Sequence, residues 1–419
     1  MARHAALLLT CWLALLAPAL AGAQELRVTS GQSLQQTLAL ARPGDTVSVP
    51  AGTYHGALAV PASGITMVGV GRPVLDGDGR GTVVLVVGHN VTLKGFRITN
   101  SGKSPYGDDS GVKFMNTSGC VLEDNVIDGV FHGVFLQNSP GNTIRGNRIT
   151  GAAPPGAYEG WGDGVHAWKS SDNRLSANRV SHFRDGFYLE FAANTVIDGN
   201  SSFDNRRYGL HFMFMDDSRF LRNEFRQNQA GTVLMYSKRI LVENNTFRDN
   251  RGPVGAGLLF RDNSDSVVRN NRIIHNTVGL FMDGASRNRI EGNLLAGNGW
   301  GLQLYASSIG NSLAGNTFFA NDYEVAVDMR DSRNRLQGNY WSGYRGYDLK
   351  GSGRGDTPYS PVSLFSFLAM QFPDLYAFAG SPAIRALEFA ARLLPALSPS
   401  TLRDEHPLMH PGRTNYGQG

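Results

Sequence analysis

The sequence predicts an all-β fold, a right-handed single-stranded parallel β-helix of about 11 to 12 coils ending in an apolar, partly helical C-terminal tail. Three observations predict it. An Asn recurs at Asn125, Asn147, Asn178, Asn200, Asn223, Asn245, Asn271, Asn293, Asn316 and Asn339, at intervals of 22, 31, 22, 23, 22, 26, 22, 23 and 23 residues. A Gly followed by alternating apolar residues recurs at Gly111, Gly133, Gly164, Gly186, Gly209, Gly231, Gly257, Gly279 and Gly301, and the next Asn lies 14 residues on, or 15 after Gly301. The chain holds 51 Gly yet is 41% hydrophobic, which suits tight corners between short buried strands. A period of 22 or 23 is too short for a helical hairpin repeat and fits one turn of a parallel solenoid. Asn tolerates left-handed backbone, and stacked Asn amides bond from coil to coil.

Residues 1–23 read as an export signal: Arg3, an apolar run from Ala5 to Leu20, then Ala21-Gly22-Ala23 as the cleavage site. Its removal takes Cys11 and leaves Cys120 alone, so stability must come from regular packing without an internal disulfide. With 39 Lys+Arg against 35 Asp+Glu, no charge excess points to nucleic acid. Residues 24–345 are the solenoid, opening on a lead-in, Glu25–Pro50, and two looser coils around Ile65–Gly69 and Lys94–Ile98.

Strand parity sorts the faces. Positions one and three after each Gly, from Val112/Phe114 to Leu302/Leu304 and including Met282, form the interior stack. Positions two and four point outward: Lys113/Met115, Phe135/Gln137, His166/Trp168, Tyr188/Glu190, His211/Met213, Val233/Met235, Leu259/Arg261, Phe281/Asp283 and Gln303/Tyr305. An outward face this aromatic and apolar suggests a partner or ligand. Extra residues enter only between an Asn and the next Gly, so loops Asn100–Ser110, Thr150–Asp163 and Arg251–Ala256 should wall that face, with Tyr158 and Trp161 in reach of it.

After Asn339 the period stops. Residues 346–397 read as a cap on the last coil and a partner-docking segment, with an apolar run Leu364–Met370 and a helix Ala383–Leu394 between Pro382 and Pro395. Asp348–Asp356 has the rhythm of an ion loop, but Lys350 and Arg354 stand where carboxylates would help, so a bare structural loop is expected. Residues 398–419 read as a flexible tail, in which His406, Met409 and His410 are free to visit a metal.

The chemistry centres on Tyr208–Asp217. By simple alternation, Leu210, Phe212 and Phe214 face one way and His211, Met213 and Met215 the other. The outward register brings His166, His211, Met213, Met215 and Met235 within a few coils, with Glu190 and Trp168 between. Thioether and imidazole favour Cu(I), whereas zinc would recruit thiolate or carboxylate in a closed set. The rival class is a carbohydrate-active enzyme. Hydrolysis needs two facing carboxylates, and the outward pair, Glu190 and Asp283, stands four coils or roughly 19 Å apart. A lyase or epimerase needs a basic cluster, and the face shows only Lys113 and Arg261. Asp163 and Asp185, just before Gly164 and Gly186, are placed to pair at a corner.

The export signal, the Asn/Gly coils, Arg207-Tyr208-Gly209-Leu210-His211-Phe212-Met213-Phe214-Met215, Gly338-Asn339-Tyr340-Trp341-Ser342-Gly343-Tyr344 and Pro407-Leu408-Met409 together resemble the NosD family. These are periplasmic accessory proteins of nitrous oxide reductase maturation. The resemblance implies a membrane ABC-type complex of an ATPase and a membrane subunit as partner at the inner membrane, a copper-donor lipoprotein, and apo nitrous oxide reductase as acceptor. The expectation is a non-enzymatic periplasmic protein that transiently holds Cu(I), with His211 and Met213 as first ligands, then Met215 and Met235, and His166 and Glu190 outside them. Phe135, Val233, Leu259 and Phe281 would flank the site and contact donor or acceptor. A metal-free docking scaffold and a sulfur-delivery factor, the latter resting on Cys120, are the other readings.

Overall fold

The computed structural model describes residues 23–29, 33–104, 106–151, 161–252, 255–393 and 401–412; the signal segment before Ala23 lies outside them. Three parallel sheets of 14, 13 and 12 strands run along a right-handed solenoid, and after the first strand the chain visits them in turn, each strand bonding the strand three further on. That makes about 13 coils, more than the 11 to 12 expected. The lead-in is itself coiled: Glu25–Arg27 pairs with Thr46–Val49, and Thr53–His55 with Val74–Asp76. Its rungs carry no Asn mark because the ladder starts later, with Phe96 N donating to Asn125 Oδ1 at 3.0 Å. Helix α1 (Leu34–Leu40), capped by Ser33, packs Leu34 and Leu38 on these first coils.

Each mark in the period has a physical cause. From Asn125 to Asn316, the backbone N and Nδ2 of one Asn donate to Oδ1 of the next; for Asn223 and Asn245 the distances are 2.9 and 3.0 Å. The Nδ2 also reaches a carbonyl on the preceding coil, Ile197 O for Asn223, at 2.8 Å. These buried amides are therefore satisfied, each bond giving about 1 kcal/mol net. The Gly column marks close approach: a Cβ on Gly209 would lie 2.6 Å from the carbonyl oxygen of Gly231 on the next coil. Interior positions close into one apolar stack that includes Phe187, Phe212, Leu234, Phe260 and Met282, each fully buried. Burying such a side chain contributes roughly 1.5–3 kcal/mol.

The tail folds back on the solenoid. Helix α2 (Leu364–Gln371), a 3₁₀ turn (Pro373–Phe378) and helix α3 (Pro382–Leu393) follow the last coil. Phe365 and Ala369 of α2 join Ala230, Val233, Ala256, Leu259, Val278, Trp300 and Ala326 in a second apolar cluster, on the outer face. Residues 401–412, expected to be flexible, are also placed on the solenoid: Leu402 and Asp404 are buried, and Leu408 N donates to Asn339 O at 2.9 Å. Their anchor is a carboxylate 65 residues from its ladder partner, outside any periodic signal. His406, Met409 and His410 are held on this end with them. In Asp348–Asp356 the carboxylates bond the loop's own amides, Asp348 to Ser352 N at 3.0 Å and Asp356 to Leu349 N at 2.7 Å. Among the described residues no helix is long and apolar enough to cross a membrane.

Candidate metal centre

Adjacent coils stack in register on the outer face, so one column holds Trp168, Glu190, Met213, Met235 and Arg261. The parallel column two residues earlier holds Phe135, His166, Tyr188, His211 and Val233. In that second column the rings touch in tilted or edge-on pairs: Phe135–His166, His166–Tyr188 and Tyr188–His211 centroids lie 4.5, 4.7 and 4.8 Å apart. Met213, Met235, His166 and Glu190 are half-buried, and His211 is 7% exposed. The Nε2 of His211 is buried without a hydrogen-bond partner, while Nδ1 lies 3.2 Å from Arg207 Nη2 and 3.4 Å from Asp185 Oδ2. A buried imidazole nitrogen with no partner costs about 1–3 kcal/mol unless something binds it. It fits a metal ligand in the tautomer whose Nδ1–H faces Asp185 Oδ2; in the tautomer whose Nδ1 accepts from Arg207, Nε2 carries the proton and binds no metal.

Beneath these columns lie two buried carboxylates. Asp163 accepts from Arg184 Nε and Nη2 at 3.0 and 2.8 Å, and from His166 Nδ1 at 3.1 Å. Asp185 accepts from Arg207 Nε at 2.9 Å and Nη2 at 2.5 Å, and from Tyr208 N at 3.2 Å. Burial alone would raise the Asp163 carboxyl, but the His166 bond and the charges of Arg184, His166 and His132 outweigh it and hold it far below the usual carboxylate range. His132 accepts from Asp163 N through Nδ1 at 2.9 Å, and burial depresses its pKa to about 4, so it is neutral at pH 7. Tyr188 is pushed up to about 12, first by burial and then by Glu190, whose carboxylate it bonds at 3.2 Å. His132, Asp163 and His166 lie close enough to hold an ion together. Arg184 and the Asp163 amide already occupy two of their ligand atoms, so they work as a support and not as an open metal site.

Several expectations change. Met215 is not an outward ligand: it is fully buried in the interior stack. The strand Tyr208–Met213 ends at Phe214, whose left-handed φ of 51° turns the chain and reverses the parity, leaving Phe214 42% exposed. Its ring stacks between Phe191 and Tyr236, each 5.0 Å away, which accounts for an aromatic residue at a corner where Asn or Gly is usual. Val233 and Leu259 are not open for a donor or acceptor: both are buried, in the same outer-face apolar cluster that the helical tail joins. Asp163 and Asp185 do not pair with each other; each is clamped by an Arg one coil on. Arg184 and Arg207 thus add to the basic residues of this face. Their signal is an Arg two residues before Gly186 and Gly209, a corner position that strand parity assigns to neither face. Lys113 bonds Asp108 of the first wall loop at 3.2 Å, and Trp161 sits against the Arg206 guanidinium at 5.3 Å. Tyr158 lies outside the described residues.

Fold and site together define a parallel β-solenoid presenting imidazole and thioether side chains on one outer face. Comparison with known proteins carries this further. The family described as periplasmic copper-binding protein NosD matches residues 74–160 and 155–346, and the chain belongs to that family. It is 32% identical over 354 residues to a Pseudomonas aeruginosa protein named probable ABC transporter binding protein NosD, covering 80% of this chain and 81% of that one. A Stutzerimonas stutzeri protein of the same name is 27% identical over 410 residues, 86% of each. Among solved structures, the A-module of Azotobacter vinelandii mannuronan C-5 epimerase AlgE4 has a TM-score of 0.58 at 16% identity, covering 70% of this chain and 91% of that one. The pre-mature bacteriophage phi29 gene product 12 reaches 0.61 at 13% identity, covering 75% and 51%. These two likenesses show the solenoid fold alone.

Proposed function

We propose that this protein accepts Cu(I) in the periplasm and delivers it to apo nitrous oxide reductase for copper-centre assembly. It works beside a membrane ABC-type complex of ATPase and membrane subunit and takes copper from a donor lipoprotein. One observation carries the reading: Glu190, Met213 and Met235 stand in register on successive coils beside His211, whose Nε2 is buried and unpartnered. Two thioethers and an imidazole suit a soft monovalent ion, and side chains from separate coils suit a cargo that must leave again. His166, fixed by Asp163, stands outside this set, and Met215 leaves it.

The reading is non-enzymatic. The two buried carboxylates of this face are each neutralised by an Arg, and Glu190 and Asp283 remain four coils apart, so no acid/base pair is poised across a groove. Sulfur delivery by Cys120 is disfavoured, since the thiol is buried and burial raises its pKa. Docking at the inner membrane falls to the tail, where Phe372, Phe378 and Phe389 are exposed.

The test is Cu(I) titration of the mature protein against a chromophoric chelator. The double variant His211→Ala/Met213→Ala is expected to lose at least tenfold in affinity. Unchanged affinity removes these ligands, and no Cu(I) binding by the unaltered protein leaves the metal-free scaffold as the function.

A further inference from the structure

Two polar side chains of the outer face are left over by the thioether set. The first is Glu190. The neighbouring carboxylates each have a cation: Asp163 has Arg184 at 2.8 Å, Asp185 has Arg207 at 2.5 Å and Asp283 has Arg261 at 3.6 Å. Glu190 has none. Among the described residues its carboxylate takes one hydrogen bond, from the Tyr188 hydroxyl at 3.2 Å, although the residue is half-buried. A carboxylate partly withdrawn from water without a counter-charge is costly, so its place on this face implies a cation.

The second is His166. Its Nδ1 lies 3.1 Å from Asp163 Oδ2, and Asp163 is clamped by the Arg184 guanidinium. A carboxylate so paired accepts and does not donate. The proton is therefore on Nδ1, and the neutral ring keeps its lone pair on Nε2. A buried carboxylate that fixes the tautomer in this way is the usual support of a metal-ligating imidazole. Asp163 alone decides it here, whereas His211 Nδ1 stands between Arg207 and Asp185.

The two side chains belong to adjacent coils. His166 faces Tyr188 and Trp168 faces Glu190, so His166 and Glu190 are diagonal neighbours. A strand spacing of about 4.8 Å and a two-residue rise of about 6.6 Å put their Cα atoms roughly 8 Å apart, within reach of an imidazole and a glutamate that share one ion. Tyr188 ties them together, its ring 4.7 Å from that of His166 and its hydroxyl on Glu190.

We propose that His166 Nε2 and the Glu190 carboxylate form a second metal position, for a divalent ion and Cu(II) foremost. Imidazole nitrogen and carboxylate oxygen suit such ions, and Cu(II) binds these donors most tightly of the first-row divalent metals. Because Glu190 also faces Met213, the two positions adjoin. The face thus sorts copper by oxidation state, with nitrogen and oxygen for Cu(II) and nitrogen and sulfur for Cu(I). The Cu(II) position does not depend on the thioethers holding Cu(I).

The test is Cu(II) titration of the tag-free mature protein against glycine as competing chelator, with the electron paramagnetic resonance spectrum recorded on the same samples. The unaltered protein is expected to bind Cu(II) and to show nitrogen hyperfine structure from an imidazole. His166→Gln and Glu190→Gln should each lower Cu(II) affinity at least tenfold, and His166→Gln should remove the nitrogen structure. His211→Ala/Met213→Ala should change neither. No Cu(II) binding, or binding that survives both single variants, overturns the proposal. Should His166→Gln fail to fold, Glu190→Gln decides, since it keeps an acceptor for Tyr188. Cu(I) affinity lost in the His211/Met213 variant with Cu(II) affinity indifferent to His166 sinks this proposal alone; the converse sinks the Cu(I) reading alone.

Discussion

Met213 and Met235 occupy facing positions on adjacent coils, paired in register on the outer face, while Met215, two residues along the same chain, is buried in the core. The difference makes a sharp comparison. Met213→Ala and Met235→Ala should each weaken Cu(I) binding about tenfold with little effect on stability. Met215→Ala should leave affinity unchanged and cost about 2–5 kcal/mol of folding free energy, as buried Met truncations do. Chelator competition and urea unfolding on the same three proteins check both halves.

The Asp185–Arg207 clamp orients His211. Asp185→Ala leaves the Arg207 guanidinium, which the Asp185 bond and charge hold protonated against the effect of burial, without its partner. It should destabilise by about 3 kcal/mol, the lower end for breaking a buried pair. It should also weaken Cu(I) binding 10- to 100-fold, the usual effect of losing a group that holds a ligand in place. Arg207→Lys, which keeps the charge but not the paired bond, should recover part of the stability.

His132 sets a pH dependence. Its folded pKa, about 4, lies below the unfolded value of 6.5, so between these pH values the unfolded chain binds more protons than the folded one. The contribution is complete above pH 6.5 and is lost as pH falls from there toward 4. Urea midpoints should therefore drop between pH 7.5 and 4.5. His132→Gln, which keeps an acceptor for the Asp163 amide, should flatten that drop.

The Asn ladder makes a prediction about stability. Asn223→Ala strips the acceptor from Asn200 N–H and from one hydrogen of Asn200 Nδ2, whose other hydrogen keeps Leu175 O. A loss of about 2–4 kcal/mol is expected, from roughly 1–3 per orphaned group, read as a lower thermal midpoint. Asn223→Asp, which keeps the acceptor but loses the Nδ2 bonds to Ile197 O and Asn245 Oδ1, should fall between the unaltered protein and Asn223→Ala.

The period made the solenoid readable because interior and exterior follow from parity as long as each strand stays regular; His211, Met213 and Met235 were placed on the outer face by that rule. It failed at Met215 because Phe214 takes a left-handed conformation that its residue type does not announce. Arg184 and Arg207 escaped because their work is done across coils, each on the Asp of the coil before. The tail was hardest to read. Nothing local in Asp404 says that it will end a ladder begun at Asn125, and nothing in α2 says that Phe365 and Ala369 will join the outer-face cluster of Val233 and Leu259 rather than leave it to a partner.

The central claim is that the His211–Met213–Met235 group holds copper. Anomalous diffraction at the copper edge, from crystals of the mature protein loaded with Cu(I) under reducing conditions, tests it most directly. The account predicts a peak at bonding distance, about 2.3 Å, from the sulfur of Met213 or Met235 and close to His211 Nε2. A well-occupied peak elsewhere on the molecule, with this group empty, would contradict it.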